Sequence, residues 1–329
     1  MGKYLSVNRE AGLFVLGLLV TVVVLSIVIN VFDWRTGTLY GAGTTQTASS
    51  TVIVGNAAPT VTSVILNINS EIVLTANATT AVTVSAIISD NNGCADITGA
   101  GASTTILVYR SGVTSSTCLT TQDNQNCYLA TAFTASSTCS GNSVNATATL
   151  GIYYFAQPTD ASSSLFTAQN WLATVIFKDT NNSTGSGDPS LGVDVRSLTA
   201  INVTTSSINY GTLSASSTSA ANVVTTSTNA GNTSTTLSLS ANATLTKGSD
   251  SISTSSQHYA TSSFTYGGAE QPLLVTVTHV AGSIMVPPTS TTNVNRPIFW
   301  ALNVPAGTAT GTYNGVTLFT AAYTTSSPL

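Results

Sequence analysis

The stretch Trp171-Leu172-Ala173-Thr174-Val175-Ile176-Phe177-Lys178 sets Trp171, Ala173, Val175 and Phe177 on one face and Leu172, Thr174, Ile176 and Lys178 on the other. Period two with one clearly apolar face reads as a β-strand buried on one side. The same pattern occurs upstream, where Val82, Val84, Ala86 and Ile88 alternate with Thr83, Ser85 and Ile87. Between such runs come turn formers, Asp90-Asn-Asn-Gly93 and Asn181-Asn-Ser-Thr-Gly185 among them. Short strands punctuated in this way predict a β-sandwich.

Composition points the same way. Only 6% of the 329 residues are charged, against roughly 25% in an ordinary soluble domain. Yet 42% are hydrophobic and the net charge is only −4, so the chain lacks the low hydrophobicity and high charge of disorder. The usual surface helix formers Lys, Glu and Arg are scarce, which favours strands throughout. Eight Lys and Arg in the whole chain supply no basic stripe for phosphates, which argues against a nucleic-acid partner.

One segment departs from this pattern. Residues 11–32 (AGLFVLGLLVTVVVLSIVINVF) carry no charge and as a helix would span a hydrocarbon core of roughly 30 Å. The run is longer than the apolar region of a cleaved signal peptide, and Tyr40-Gly41-Ala42 is a poor cleavage site, so an uncleaved anchor is expected. Lys3 and Arg9 precede it and Arg35 alone closely follows, which orients residues 1–10 inward. Asn30, Trp34 and Tyr40 suit the outer interface. A pilin-like start is a weaker fit, because Glu10 stands at the edge of the apolar run rather than inside it.

The expected organisation is a cytoplasmic N-terminus (1–10), a transmembrane signal anchor (11–32), a Ser/Thr/Gly-rich stalk (33–56) and two sandwiches, 57–198 and 199–329. The boundary falls at the end of TGSGDPSLGVDVRSL (184–198). In the second half Leu237 and Leu239, then Val275 and Val277, then Ile298, Trp300, Leu302 and Val304 mark strands, with Trp300 as the core anchor. The closing element is expected to be a hairpin in which Pro305–Gly307 and Thr310-Gly311 break the chain before Tyr313–Tyr323.

Cys94, Cys118, Cys127 and Cys139 all lie in the first half. Their spacing is too wide for a zinc site, and in an exported chain they read as two disulfides with three pairings open. Their expected role is to staple the excursion 110–140, which looks too polar to bury a core of its own. Asp90, Asn92 and Asp96 resemble the start of a calcium loop, but no Glu closes it and Asn, Asp and Gly are also the best turn formers. Sequons fall at Asn77, Asn145, Asn181, Asn182, Asn202, Asn232 and Asn242.

Nothing announces catalysis or a cofactor. His258 and His279 sit in no recognisable motif, and of three Glu one abuts the apolar segment, so a secreted carbohydrate-active enzyme ranks last. His279, in line with Val275 and Val277, reads as a sheet residue.

Several stretches resemble a family. They are Asp90-Asn-Asn-Gly-Cys-Ala-Asp-Ile97, the Trp171–Val175 strand running into Asp179-Thr-Asn-Asn182, Ile208-Asn-Tyr-Gly-Thr-Leu213, Asn229-Ala-Gly-Asn-Thr233, and Phe299–Tyr313. Together they resemble Ig-like surface proteins of uncultivated bacteria and archaea with small genomes. The resemblance spans most of 57–323 and implies tandem Ig-like β-sandwiches on a cell surface, with no catalytic residues to carry over. The functional expectation is therefore a membrane-anchored, extracellular structural or adhesive protein. It would bind a surface glycan or protein or associate with itself, and its alternative is a pilin-like filament or surface-layer subunit.

Overall fold

A computed structural model describes residues 48–135, 138–160, 165–187, 191–205, 207–290, 292 and 295–324. The predicted anchor 11–32 and most of the stalk lie outside these residues. Among those described, no helix is long and apolar enough to cross a membrane. Residues 55–329 form one unit and residues 1–54 another.

The first half is built from β1 (Thr60–Leu66), β2 (Thr79–Ser89), β3 (Ser103–Arg110), β4 (Cys127–Ala130), β5 (Thr134–Ala135), β6 (Ser143–Tyr153), β7 (Trp171–Lys178) and β8 (Thr184–Gly187). Two short helices, α1 (Cys94–Thr98) and α2 (Ser115–Thr120), interrupt them. One antiparallel sheet runs β1-β2-β6-β5 and a second runs β4-β3-β7-β8. Val82, Val84, Ala86 and Ile88 of β2 face Trp171, Ala173, Val175 and Phe177 of β7 across one core, as their alternation predicts. The two sheets enclose one core, an arrangement consistent with a β-sandwich.

β1 shows how a single residue changes which side chains turn inward. Val61 is buried, but so are Val64 and Leu66, which have the opposite parity. The register with β2 slips between Thr62 and Ile65, with Ser63 at φ 50° taking up the extra residue. This bulge flips the inward face of the strand midway. At the other edge, β8 is TGSG because it lies against the start of β1. A Cβ on Gly185 would stand 2.0 Å from the Pro59 carbonyl oxygen, and one on Gly187 2.6 Å from that of Val61.

The second half comprises β9 (Ile201–Val203), β10 (Val223–Asn229), β11 (Thr235–Ala241), β12 (Leu245–Lys247), β13 (Asp250–Ile252), β14 (Gln257–Ala260), β15 (Gln271–Pro272), β16 (Thr278–His279), β17 (Asn295–Leu302) and β18 (Thr317–Tyr323). The sheets run β15-β14-β17-β10-β9 and β16-β11-β18, with β12-β13 a separate hairpin. Trp300 is fully buried, its indole donating to Thr225 Oγ1 at 2.9 Å, with Tyr259 and Phe319 around it. Ile298 joins Trp300 in the main core, whereas Leu302 and Val304 pass into a smaller one with Ile252.

Two expectations fail here. Val275 and Val277 are 61% and 65% exposed and in no strand, because Leu273 and Val280 take the inward positions on either side. The run is a surface connection between β15 and β16, and its alternation reflects no pleat. The closing segment also forms no hairpin with the strand before it. β17 pairs with β10 and β14, while β18 crosses to the other sheet and pairs with β11 from Thr235↔Tyr323 to Ala241↔Thr317.

Candidate functional site

Asp90, Asn92 and Asp96 fall at one end of the two sheets of the first half, where three segments meet. Asp90 follows β2 and is 1% exposed. Its Oδ1 accepts from the Asn92 N–H at 2.7 Å, and its carbonyl accepts from the Gly93 N–H, an Asx turn. Asn92 turns away from it, with Oδ1 accepting from the Ala57 N–H at 2.6 Å and Nδ2 donating to the Gly55 carbonyl. Asp96 turns to the turn after β7, taking Asn181 Nδ2 on both oxygens and the Thr180 hydroxyl at 2.5 Å.

Asp179 completes this end. Its Oδ1 accepts from the Asn181 and Ser183 N–H groups at 2.8 Å and its Oδ2 from Asn56 Nδ2 at 2.9 Å. Burial pushes its carboxyl up, but the Asn56 amide, the two N–H groups and the Lys178 charge outweigh that and hold it below the usual range. The expected calcium ligands are thus distributed as hydrogen-bond acceptors for different segments. Among the described residues no group of three His, Cys, Asp or Glu converges. The arrangement ties the chain before β1 to the turns after β2 and β7.

The cysteines pair as Cys94–Cys139 and Cys118–Cys127. The first joins α1 to the loop before β6. The second holds α2, capped by Thr114 Oγ1 accepting from the Thr117 N–H, over the outer face of the second sheet. There Cys118 and Cys127 bury Leu107 and Tyr109, with Leu129, Leu172 and Ile176 alongside. The excursion 110–140 therefore does own a small core, contrary to its polar appearance, because both sulfurs and the back of β3 supply the apolar surface. Beside it, buried Arg110 donates from Nε to Asn126 Oδ1 at 2.9 Å and stacks 3.7 Å above the Phe166 ring. Burial lowers its pKa, opposed by the charge of Asp123.

Sequence reasoning missed one titratable cluster. His258 Nδ1 lies 3.0 Å from Glu270 Oε1, and the His258 ring stacks on Tyr266 with centroids 4.2 Å apart. Twelve residues separate the pair, so no spacing rule exposes it. The signal present was Tyr266-Gly-Gly-Ala-Glu270, a tight turn ending in a carboxylate. Burial pushes Glu270 up, but His258 and the N–H groups of Gly267, Glu270 and Gly268 reverse this and bring its pKa down to about 2. The carboxylate orients the imidazole and forms an ion pair when His258 is protonated. His279 pairs with Ser238 at the exposed edge strand β16, a sheet residue as expected.

The sequons fare unequally. Asn77, Asn145, Asn181, Asn182 and Asn242 are exposed and Asn202 is half-buried, although the Asn181 amide is engaged by Asp96 and Asn56. Asn232 is 4% exposed: Nδ2 donates to the carbonyls of Ala156 and Arg196, each at 3.0 Å, and Oδ1 accepts from the Leu198 N–H. The folded chain has no room for a glycan there.

That residue belongs to a buried and densely hydrogen-bonded segment. Asn229-Ala-Gly-Asn-Thr233 is buried throughout. Asn229 Nδ2 donates to the carbonyls of Thr233 and Met285, and the Ala230 carbonyl accepts from the Asn77 N–H. A Cβ on Gly231 would stand 2.0 Å from the Leu198 carbonyl oxygen, so only glycine lets the chains approach. The segment joins the half that carries the first core to the half that carries the second.

The fold defines an all-β protein of several antiparallel sheets consistent with a β-sandwich, stapled by two disulfides. Compared with known proteins, the chain matches no family model and no curated protein.

Proposed function

We propose that this chain is a membrane-anchored cell-surface protein with a structural or adhesive role, in which two tandem Ig-like sandwiches stand outside the membrane on the segment 11–32. The observation that carries the structural part of this reading is the Asn229–Thr233 seam, which joins the two cores through buried hydrogen bonds with no flexible linker between them. A spacer or coat component needs that continuity. An extracellular setting is supported by the two disulfides, since oxidised cysteines persist outside the cytosol. The hydroxyl-rich surface is solvated without strong fields, which suits a passive coat better than an electrostatic binder.

The test is protease treatment of intact cells, with released peptides identified by mass spectrometry before and after reduction. Peptides from 50–329 are expected, with Cys94 linked to Cys139 and Cys118 to Cys127 until reduction. Their release only after lysis, with free thiols, would overturn the surface reading.

A further inference from the structure

The two disulfides meet solvent differently. Cys118 and Cys127 are both 0% exposed, packed with Leu107 and Tyr109 of β3. Cys94 and Cys139 are half-buried, at the start of α1 and in the loop before β6. Thiol–disulfide exchange needs a thiolate to reach a sulfur. An external thiol therefore meets the Cys94–Cys139 bond in the folded chain, and meets Cys118–Cys127 only after that region has opened.

The residues on either side of Cys94 carry the bonds between segments at this end. Two positions before it, Asn92 Oδ1 accepts from the Ala57 N–H at 2.6 Å and Nδ2 donates to the Gly55 carbonyl at 3.2 Å. Two positions after it, Asp96 accepts from the Thr180 hydroxyl and from Asn181 Nδ2. α1 is five residues long, has no side-chain cap at its N-terminus and buries only Ile97, far short of a helix that stands alone. Between the Asp90 turn and Ile97, the bond to Cys139 is the covalent tether that keeps Asn92 and Asp96 in place. We infer that Cys94–Cys139 is a site of reversible thiol–disulfide exchange, and that its opening by a dithiol releases the hold of Asn92 on residues 55–57 and of Asp96 on the turn after β7. One thiolate of the dithiol attacks either sulfur, forming a mixed disulfide and expelling the other cysteine as its thiolate. The second thiol then resolves the mixed disulfide. Cys94 and Cys139 gain two electrons and two protons, and the dithiol leaves oxidised as a disulfide. The inference goes beyond the surface reading and does not depend on it.

The test exposes the full chain, in mild detergent and without denaturant, to dithiothreitol for increasing times. Freed thiols are alkylated and located by mass spectrometry, and residue-resolved hydrogen exchange is followed on the same samples. Cys94 and Cys139 are expected to open at least about tenfold faster than Cys118 and Cys127. In that half-reduced protein the Ala57 amide should exchange at least about tenfold faster, while amides of β2 and β7 keep their protection. Removal of the reductant and reoxidation should restore the slow exchange of Ala57. Cys94→Ser/Cys139→Ser should show the fast exchange with no reductant present. Opening of both disulfides together would overturn the inference, as would Cys118–Cys127 opening first. So would an Ala57 amide unchanged after clean reduction, or one that speeds up only in step with β2 and β7, which is ordinary unfolding. None of these outcomes bears on release of 50–329 from intact cells, so the surface reading stands or falls separately.

Discussion

The Leu198 N–H donates to Asn232 Oδ1 at 2.6 Å, so the backbone of a residue packed on the first core is bonded to the loop between two strands that carry the second. Asn232 fills its remaining capacity with the carbonyls of Ala156 and Arg196. Asn232→Ala strands one buried donor and two buried acceptors, each worth about 1–3 kcal/mol when unsatisfied. We expect a loss of about 3 kcal/mol or more in urea unfolding, together with separation of one transition into two. A change below about 0.5 kcal/mol, the range of ordinary surface substitutions, would show that the seam is incidental.

The two disulfides close loops of different length, with sequence separations of 45 and 9. By loop-closure entropy, removing the longer costs about 4 kcal/mol and the shorter about 2.7 kcal/mol. Cys94→Ala/Cys139→Ala should therefore lower the denaturation midpoint more than Cys118→Ala/Cys127→Ala. The reverse order would mean that packing of the buried Cys118 and Cys127 over β3 outweighs chain entropy.

Glu270 predicts an acid-side signature. Its pKa in the folded chain, about 2, is below its ordinary value of 4.5, so the ionised form stabilises the fold. That contribution is complete above about pH 4.5 and is lost as pH falls through about 2. Glu270→Gln should lower the melting temperature at neutral pH and flatten its decline between those values. Asp179, also held below the usual range, acts with the same sign and keeps part of the slope in the variant. Parallel curves for the two proteins would sink this assignment.

Trp300→Ala removes the largest side chain of the second core and the indole donor to Thr225. A loss of about 3–5 kcal/mol is expected. Trp300→Phe should cost less, chiefly through the stranded Thr225 hydroxyl. Equal losses would mean that the hydrogen bond, rather than the ring volume, holds the core.

Legibility from the sequence varied with how local the determinant is. In β2 and β7 the pleat is regular and one face is buried, so period two names the inward residues without knowledge of partners. The same rule misreads Val275 and Val277, since alternation in a polar chain also arises where nothing is covered. The β1 bulge is invisible because Ser63 and its neighbours are ordinary strand residues, and only the partner register reveals the extra one. Long-range pairing escaped for the same reason: β18 joins β11, about eighty residues away, and four cysteines admit three pairings on paper. The candidate ligands Asp90, Asn92 and Asp96 were found as turn formers, and Asp90 does close its own turn, but the partners of the Asn92 and Asp96 side chains come from 55–57 and 180–181, which no window around them contains. Asn229–Thr233 stood out only as part of a resemblance, and its burial explains why those residue types occupy it.

The cluster around Asp179 has a mechanical consequence. Tension applied through the chain that precedes residue 55 reaches Asn56 and Ala57 before β1. Through Asn56 the load passes to the turn after β7, and through Ala57 to the turn after β2. A pull therefore bears on both layers of the sandwich at once, and β1 is shielded from being unzipped from its neighbour one hydrogen bond at a time.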